Sequence, residues 1–270
     1  MQERPVLAYF WPKQHFGLLY QLVQRDIRQR YKGSWLGMGW SLITPLIMLS
    51  VYTFVFQFVF KARWPGAETG QGLEFALNLF AGLIFFTLFS DVMTRASSTI
   101  TQQPNLVKKV VFPLHLLSWV VVLSALFQAV ISLGILALGT LILRGEISVQ
   151  FIYISLIILV FLPLLLGMAW GLAALGVYLP DTQHLTAMAT APLMFLSPVF
   201  YPVSMLPDWA QGWINLNPLT LIIEATRASA LGTSWPSLEN MLFYVLAALI
   251  VGVLGASGFQ KLRKGFADVL

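Results

Sequence analysis

The sequence has 270 residues, of which 58% are hydrophobic and 10% are charged, and its mean hydropathy is +0.78. Soluble globular domains carry about 25% charged residues, so this composition excludes an ordinary water-soluble fold. The net charge of +5 comes from cations beside apolar blocks, which indicates membrane lipids and no nucleic acid as partners. The absence of cysteine excludes a disulfide framework and any thiolate nucleophile or metal ligand.

The first 33 residues predict an amphipathic interface helix. Apolar side chains such as Phe16, Leu22 and Ile27 recur at near-helical spacing, and polar side chains occupy the positions between them. Helices of this kind lie in the plane of the membrane surface. We therefore assign residues 1–33 to this helix and residues 34–270 to a single transmembrane domain.

The rest of the chain contains six apolar blocks. A bilayer crossing takes about 17–25 residues of an α-helix, and each block reaches that length. The sequence therefore predicts an all-α integral membrane protein with about six transmembrane helices. The predicted spans are residues 36–60, 75–92, 114–143, 149–178, 185–201 and 241–259.

Residues 202–236, before the last span, have a different pattern. Pro207, Gly212, Pro218 and Gly232 break their apolar runs, so the segment cannot cross a bilayer as one helix. Tryptophans are enriched at membrane boundaries, and Trp209 lies in this segment. These features predict a re-entrant helical hairpin at the outer face.

The distribution of cations predicts the orientation. Cytoplasmic segments of membrane proteins are enriched in lysine and arginine. Twelve of the sixteen cations fall on one side of the predicted spans, so we expect both termini in the cytoplasm. The twelve are Arg4, Lys13, Arg25, Arg28, Arg30, Lys32, Arg95, Lys108, Lys109, Lys261, Arg263 and Lys264, and the other four are Lys61, Arg63, Arg144 and Arg227.

Motifs for catalysis or cofactor binding are missing. No Gly-Lys pair is available for a phosphate-binding loop, and no Gly-x-Ser-x-Gly elbow occurs. His15, His115 and His184 lie far apart without acidic partners at metal-ligand spacing, so we predict no metal site. Gly37 and Gly39 are better explained by close helix packing than by nucleotide binding. We expect no enzymatic activity and no cofactor on this chain.

Two acid–base pairs lie near the predicted spans. Asp91 and Arg95 are four residues apart, which favours an exposed intrahelical pair over a functional site. Glu224 and Arg227 are three residues apart, and their spacing favours a structural ion pair over a substrate site.

A basic cluster ends the interface helix. Arg25, Arg28, Arg30 and Lys32 directly precede the glycine-rich start of the first span. The cluster is explained either by attraction to anionic headgroups or by a role in guiding a lipid diphosphate.

Aromatic residues are the second feature with two interpretations. They are typical of a lipid-facing belt, or, if they face a lumen, they could stack on sugar rings. The candidates for channel aromatics are Phe54, Phe58, Phe200, Tyr201 and Trp209.

Several motifs recur in one order along nearly the whole chain. They are RDIRQRYKGS at residues 25–34, VYTFVF at 51–56, NLVKKVVFP at 105–113, LSPVFYP at 196–202 and NPLT at 217–220. In this order and spacing, the chain resembles the permease subunits of type 2 ABC exporters of polysaccharides. It is most similar to the O-antigen branch of that family, which also includes teichoic-acid and capsule exporters.

The resemblance implies a channel-forming permease for a lipid-linked polysaccharide in the bacterial cytoplasmic (inner) membrane. It further implies a homodimer with two copies of a separate ATP-binding subunit, so that ATP and Mg²⁺ belong to the partner. The contact with that subunit would lie at Asn105, Lys108, Lys109, Phe112 and Pro113. Relatives often carry Arg-Asp after the fourth span, whereas this chain has Pro180-Asp181, so a second contact would rely on Asp181.

Two alternatives fit the residues less well. One is the permease of a drug or lipid ABC exporter, which needs a compact apolar cavity instead of a continuous channel. The other is a scaffold for an envelope-glycan synthase that transports nothing, which fits the lack of catalytic residues.

Overall fold

The computed structural model describes residues 6–59, Trp64, 71–108 and 112–270. All regular secondary structure in this part of the chain is helical, and it contains no β-strand. Short 3₁₀ or π segments flank several of the helices. The α-helices are α1 (Leu7–Phe10), α2 (Phe16–Tyr31), α3 (Trp40–Thr53), α4 (Gln71–Ala96), α5 (Pro104–Lys108), α6 (His115–Arg144), α7 (Tyr153–Tyr178), α8 (Thr182–Leu196), α9 (Asp208–Asn215), α10 (Pro218–Leu231), α11 (Leu238–Leu262) and α12 (Phe266–Val269).

Among the described residues, five helical segments are long and apolar enough to cross a membrane. The prediction of an all-α protein with several membrane-spanning helices is therefore confirmed. The five coincide with five of the six predicted spans. They are Gly37–Phe56, Glu74–Ala96, His115–Ile142, Val149–Tyr178 and Leu238–Val269.

The helix at the predicted fifth span is shorter than the apolar block. Helix α8 has 15 residues and ends at Leu196, so it is only about 22 Å long at 1.5 Å per residue. Its end has a local cause, because the residue before a proline is pushed into extended backbone. Ser197, which precedes Pro198, has φ −102° and ψ 147°. The helix therefore cannot continue to residue 201.

The segment predicted as a hairpin contains helices α9 and α10, joined at Leu216 and Asn217. Asn217 caps α10, since its side chain accepts a hydrogen bond from the Leu219 N–H at 2.9 Å. Eleven of the fourteen side chains of α10 are buried, and the helix packs against α4 and α7. How deeply the pair enters the membrane stays a prediction.

The N- and C-terminal segments pack at the same end of the bundle. Trp119, near the start of α6, donates a hydrogen bond to the carbonyl oxygen of Tyr9 at 2.9 Å. The Tyr9 ring lies 6.3 Å from that of Phe259, near the end of α11. At the same end, Tyr178 donates to the carbonyl oxygen of Leu262 at 2.7 Å.

The glycines before α3 have a different role from the one predicted. Gly37 has a φ of 52°, in the left-handed region that favours glycine. A Cβ added at Gly37 would meet nothing within 4 Å, and one at Gly39 would meet only Leu36. Among the described residues, Gly37 therefore serves a turn and does not pack closely against another helix of the chain.

Close helix packing occurs instead between α7 and α11. A Cβ added at Gly255 would clash with the backbone of Gly167, whereas one at Gly258, three residues later, would meet nothing within 4 Å. Small residues allow such backbone approach between membrane helices. Gly255 and Gly258 therefore form a matched pair for testing this contact.

We expect Gly255→Ala to lower the free energy of unfolding by about 1–3 kcal/mol, because the methyl group forces two backbones apart. Gly258→Ala should leave stability unchanged or raise it by up to about 1 kcal/mol, since alanine favours helix. Thermal unfolding of both variants in detergent measures the difference. Equal melting temperatures for the two variants would contradict the close contact.

Candidate functional site

Helix α2 is joined to α4 by four charged side chains. Arg30 contacts Asp91 at 2.6 Å, and Arg95 contacts Asp26 at 2.6 Å. Within each helix the acid and base are further apart, 3.8 Å between Arg30 and Asp26 and 3.7 Å between Arg95 and Asp91. The four side chains are partly buried, and their formal charges cancel. We call them the α2–α4 ion network.

Sequence reasoning identified only half of this network. Asp91 and Arg95 were interpreted as an exposed intrahelical pair, but the shortest contact of each is to α2. Asp26 was missed. Its signal was available, because Asp26 and Arg30 repeat the same acid-to-base spacing of four residues on the neighbouring helix.

The predicted basic cluster is divided by this network. Arg30 is half-buried and paired, whereas Arg25, Arg28 and Lys32 are exposed. The exposed three carry no ion pair within the described residues. Only they can therefore bind an anionic headgroup or a lipid diphosphate without breaking an existing contact.

A second polar link fixes the end of α2. Tyr31 donates a hydrogen bond to the side-chain oxygen of Gln128 at 2.9 Å, and Gln128 in turn donates to the carbonyl oxygen of Ser41 at 2.5 Å. Partial burial raises the pKa of the Tyr31 phenol above its ordinary value, so it stays protonated as a donor. The link joins α2 to α6 and α3.

A cavity of about 320 Å³ lies beside Arg28, between α2, α6 and the segment before α3. Val23, Ile27, Met38 and Phe127 supply apolar walls. An apolar cavity with a guanidinium at its edge suits a ligand that combines a hydrocarbon chain with a phosphate group.

The residues predicted to contact an ATP-binding subunit follow the end of α4. In α5, Asn105 and Lys108 are exposed, whereas Phe112 and Pro113 after it are half-buried. Lys109 lies outside the described residues. Helix α5 packs near α12, at the end of the bundle that carries both terminal segments.

Asp181 is exposed in the turn between α7 and α8. This turn lies beside the end of α4, because a Cβ added at Gly176 would clash with the carbonyl oxygen of Ser97. Thr186 also donates to the Ser97 hydroxyl at 3.4 Å. The two predicted coupling segments, which contain α5 and Asp181, therefore follow helix ends that touch each other.

The predicted channel aromatics fall into two groups. Phe54, Phe58 and Trp209 are exposed, and the rings of Phe54 and Phe58 stack at 6.0 Å. Phe200 is instead buried, with its ring stacked on Phe56 at 4.7 Å. Tyr201 is half-buried and donates to the carbonyl oxygen of Phe195 at 2.9 Å.

Arg227 is a fully buried cation that lies 2.9 Å from the Glu224 carboxylate. Its guanidinium also donates to the carbonyl oxygens of Asn78 at 3.0 Å and Val199 at 2.7 Å. Its Cζ lies 4.6 Å from the centre of the Trp64 ring. The arginine thus connects α10 with α4 and with the segment that follows α8.

No group of three or more histidine, aspartate or glutamate side chains comes close enough to hold a metal ion in the part of the chain that the structure describes. The polar side chains described above can bind a ligand, orient helices and connect segments of the chain.

Comparison with known proteins decides the family. Residues 17–231 match the family described as ABC-2 type transporter. The chain belongs to the ABC-2 type transporter family. Since five helices in the described part of the chain are able to cross a membrane, this family member is a multi-pass membrane protein.

Similar curated proteins cover the chain almost from end to end. It is 27% identical to the O-antigen export system permease protein RfbA of Myxococcus xanthus over 94% of this chain and 96% of that protein. An RfbA of Klebsiella pneumoniae is 23% identical over 94% and 95%. The polysialic acid transport protein KpsM of Escherichia coli is 24% identical over 86% and 89%. The resemblance to polysaccharide exporter permeases is therefore confirmed.

Proposed function

We propose that this chain is the channel-forming permease of an ATP-driven exporter that moves a lipid-linked, O-antigen-like polysaccharide across the bacterial inner membrane. The observation that carries the proposal is its membership of the ABC-2 type transporter family together with full-length similarity to O-antigen and capsule export permeases. Within this proposal the chain breaks no covalent bond.

The substrate lipid reaches the channel beside α2. The exposed Arg28, with Arg25 and Lys32 near it, binds the diphosphate, and the apolar cavity beside Arg28 takes part of the hydrocarbon chain. Arg30 has a supporting role, since the α2–α4 ion network fixes the orientation of α2. The exposed Phe54, Phe58 and Trp209 are the candidates for stacking on sugar rings in the channel.

The functional unit is a homodimer. Helix α3 is apolar, yet Ser41 is its only buried side chain among the described residues of the helix. Its Leu42, Leu46 and Val51 are exposed. We propose that this uncovered helix packs against a second copy and lines the channel with it.

ATP and Mg²⁺ bind to a separate subunit, present in two copies, which contacts α5 and the turn at Asp181. Exposed Asn105 and Lys108 offer polar contacts. The side chains of Leu106 and Val107 pack on the core and transmit movement to the helices. With α8 as a sixth span, this end of the bundle and both termini face the cytoplasm, and α9 and α10 form the outer hairpin.

Co-purification tests the function. The tagged chain, extracted from native membranes in mild detergent, should bring down an ATPase in equal amount. Native mass spectrometry should give two copies of each subunit, and lipid-linked glycan should raise ATP turnover. A chain without any ATPase, under conditions that preserve known exporters, would favour the scaffold alternative.

Single cysteines test the orientation, because the natural sequence has none and gives no background. In intact spheroplasts, a membrane-impermeant maleimide should label Gly212→Cys in α9. It should label Asn105→Cys in α5 only after permeabilisation. Both positions are exposed, and a Cβ at Gly212 meets nothing within 4 Å. Reversed labelling would contradict the cytoplasmic termini.

A further inference from the structure

A second cavity, of about 350 Å³, opens at the end of the bundle opposite the termini. It lies between the turn that joins α9 to α10, the segment before α11 and the first turns of α11. Trp235 marks its position, since its ring contacts that of Tyr153 at the start of α7. The side chains used below are Asn215, Glu224, Trp235, Asn240, Phe243 and Tyr244.

Tyr244 supplies the first sign of a ligand. Its side chain lines the cavity and is 6% exposed. Its buried hydroxyl has no hydrogen-bond partner among the described residues. More than about 90% of buried polar groups in proteins are paired, so a ligand in the cavity could supply the partner that this hydroxyl lacks.

Glu224 supplies the second sign of a ligand. One carboxylate oxygen accepts a hydrogen bond from Arg227 at 2.9 Å, whereas the other has no partner within the described part of the chain. The amides of Asn215 and Asn240 are exposed at the cavity. A carboxylate accepts, while amides and a phenol both donate and accept. This set matches hydroxyl groups, which also do both.

The charge of the lining excludes an anionic ligand. Glu224 is the only ionised side chain that lines the cavity among the described residues. Arg227, which lies behind Glu224, already donates hydrogen bonds to Glu224 and to the carbonyl oxygens of Asn78 and Val199. A phosphate or a sugar acid would therefore face a carboxylate with no cation free to bind it.

We propose that this cavity binds one neutral sugar unit, with its hydroxyls bonded to Glu224, Asn240 and Tyr244 and its C–H face against Trp235 or Phe243. The volume suits a single unit, since it lies near the lower end of ligand pockets, about 300–1,000 Å³. The exported glycan as the source rests on the proposed function. The sugar headgroup of a membrane glycolipid has the same chemistry.

Saturation-transfer NMR tests the site. The full chain, with the subunits that accompany it, is placed in phospholipid nanodiscs and titrated with methyl glucoside, methyl N-acetylglucosaminide and the anionic methyl glucuronide. The two neutral glycosides should bind and the glucuronide should not. Tyr244→Phe and Asn240→Ala should each weaken binding about fivefold to tenfold, which corresponds to about 1–1.4 kcal/mol for one neutral hydrogen bond.

Tyr244→Phe keeps the ring and removes a hydroxyl that has no partner among the described residues, so the variant should remain folded. Glu239→Gln is the matched control, because this exposed carboxylate neighbours Asn240 but does not line the cavity. It should leave binding unchanged. Failure of neutral glycosides to bind, equal binding by the variants, or preferred binding of the glucuronide would each overturn the site.

Competition separates the two sources. Displacement of methyl glucoside by delipidated oligosaccharide from the cell's own surface glycan assigns the site to exported glycan. Displacement only by a glucosyl diacylglycerol in the nanodisc supports the site and assigns it to a headgroup. An ATPase that co-purifies while no neutral glycoside binds would overturn the sugar site alone and leave the proposed function standing.

Discussion

Replacement of Arg227 by methionine is expected to lower the free energy of unfolding by about 3–5 kcal/mol, because it removes a buried cation together with its hydrogen bonds to one carboxylate and two buried carbonyl oxygens. The side chain is 1% exposed. Its loss removes the donors to Asn78 and Val199 and leaves the Glu224 carboxylate without its cation. Such a change is a large fraction of the 5–15 kcal/mol that typically stabilises a folded protein, so little folded protein should accumulate.

The measurement is the yield of monodisperse protein after detergent extraction, followed by thermal unfolding of what remains. Arg25→Met is the matched control, because Arg25 is exposed and has no ion pair among the described residues. It should change stability by no more than about 0.5 kcal/mol. Arg227→Lys should be much less stable than the wild type, since an ammonium group cannot reproduce the planar fork of guanidinium donors.

A double variant distinguishes the ion pair from the carbonyl contacts. Adding Glu224→Gln to Arg227→Met removes the carboxylate that was left without its cation, so part of the lost stability should return. The carbonyl oxygens of Asn78 and Val199 would still lack their donor. Full recovery of stability would mean that these two carbonyl contacts contribute nothing to it. No recovery would mean that the unpaired Glu224 carboxylate did not destabilise the Arg227→Met variant.

The membrane-spanning helices could be predicted from the sequence because the length of an apolar run is a local property. The predicted spans at residues 114–143 and 149–178 match His115–Ile142 and Val149–Tyr178 almost residue for residue. The fifth block shows the limit of this reasoning. Hydropathy continues through Pro198, but a proline changes the backbone of the residue before it, so the helix ends at Leu196.

Contacts between segments that are distant in the sequence could not be predicted from it. The spacing of Glu224 and Arg227 suggested a pair, but nothing local indicates that Arg227 also bonds to Asn78, 149 positions away. In the same way, Arg95 and Asp26 are separated by 69 positions. An intrahelical pair and a pair between helices have the same sequence signature, and only the packing of α2 against its neighbours decides between them.

Arg28→Ala should raise the apparent KM for lipid-linked glycan about tenfold or more, with folding unaffected. A hydrogen bond to a charged group is worth about 1.5–3 kcal/mol, and Arg28 is exposed at the edge of the cavity beside α2. The assay is glycan-stimulated ATP turnover by the purified exporter complex in nanodiscs, with thermal unfolding recorded in parallel. Arg28→Lys should retain part of the affinity, because it keeps the charge but loses the bidentate geometry.

Arg30→Ala, only two positions away, should behave differently. It breaks the 2.6 Å contact with Asp91, so its effect should include a lower melting temperature and a lower maximal turnover as α2 loosens from α4. Asp91→Asn should give the same two changes, because it removes the other half of that contact. If Arg28 binds the diphosphate and Arg30 orients the helix, the first variant changes KM and the second changes stability.

Lys13→Ala is the control for both, since Lys13 is exposed and lies outside this cavity and the ion network. It should leave KM and melting temperature unchanged. An unchanged KM in a folded Arg28→Ala variant would remove this residue from substrate binding and leave the cluster with general attraction to anionic lipids. If Arg28→Ala, Arg30→Ala and Lys13→Ala all raised KM equally, surface charge, and not the geometry of the cavity beside Arg28, would set the affinity for the lipid.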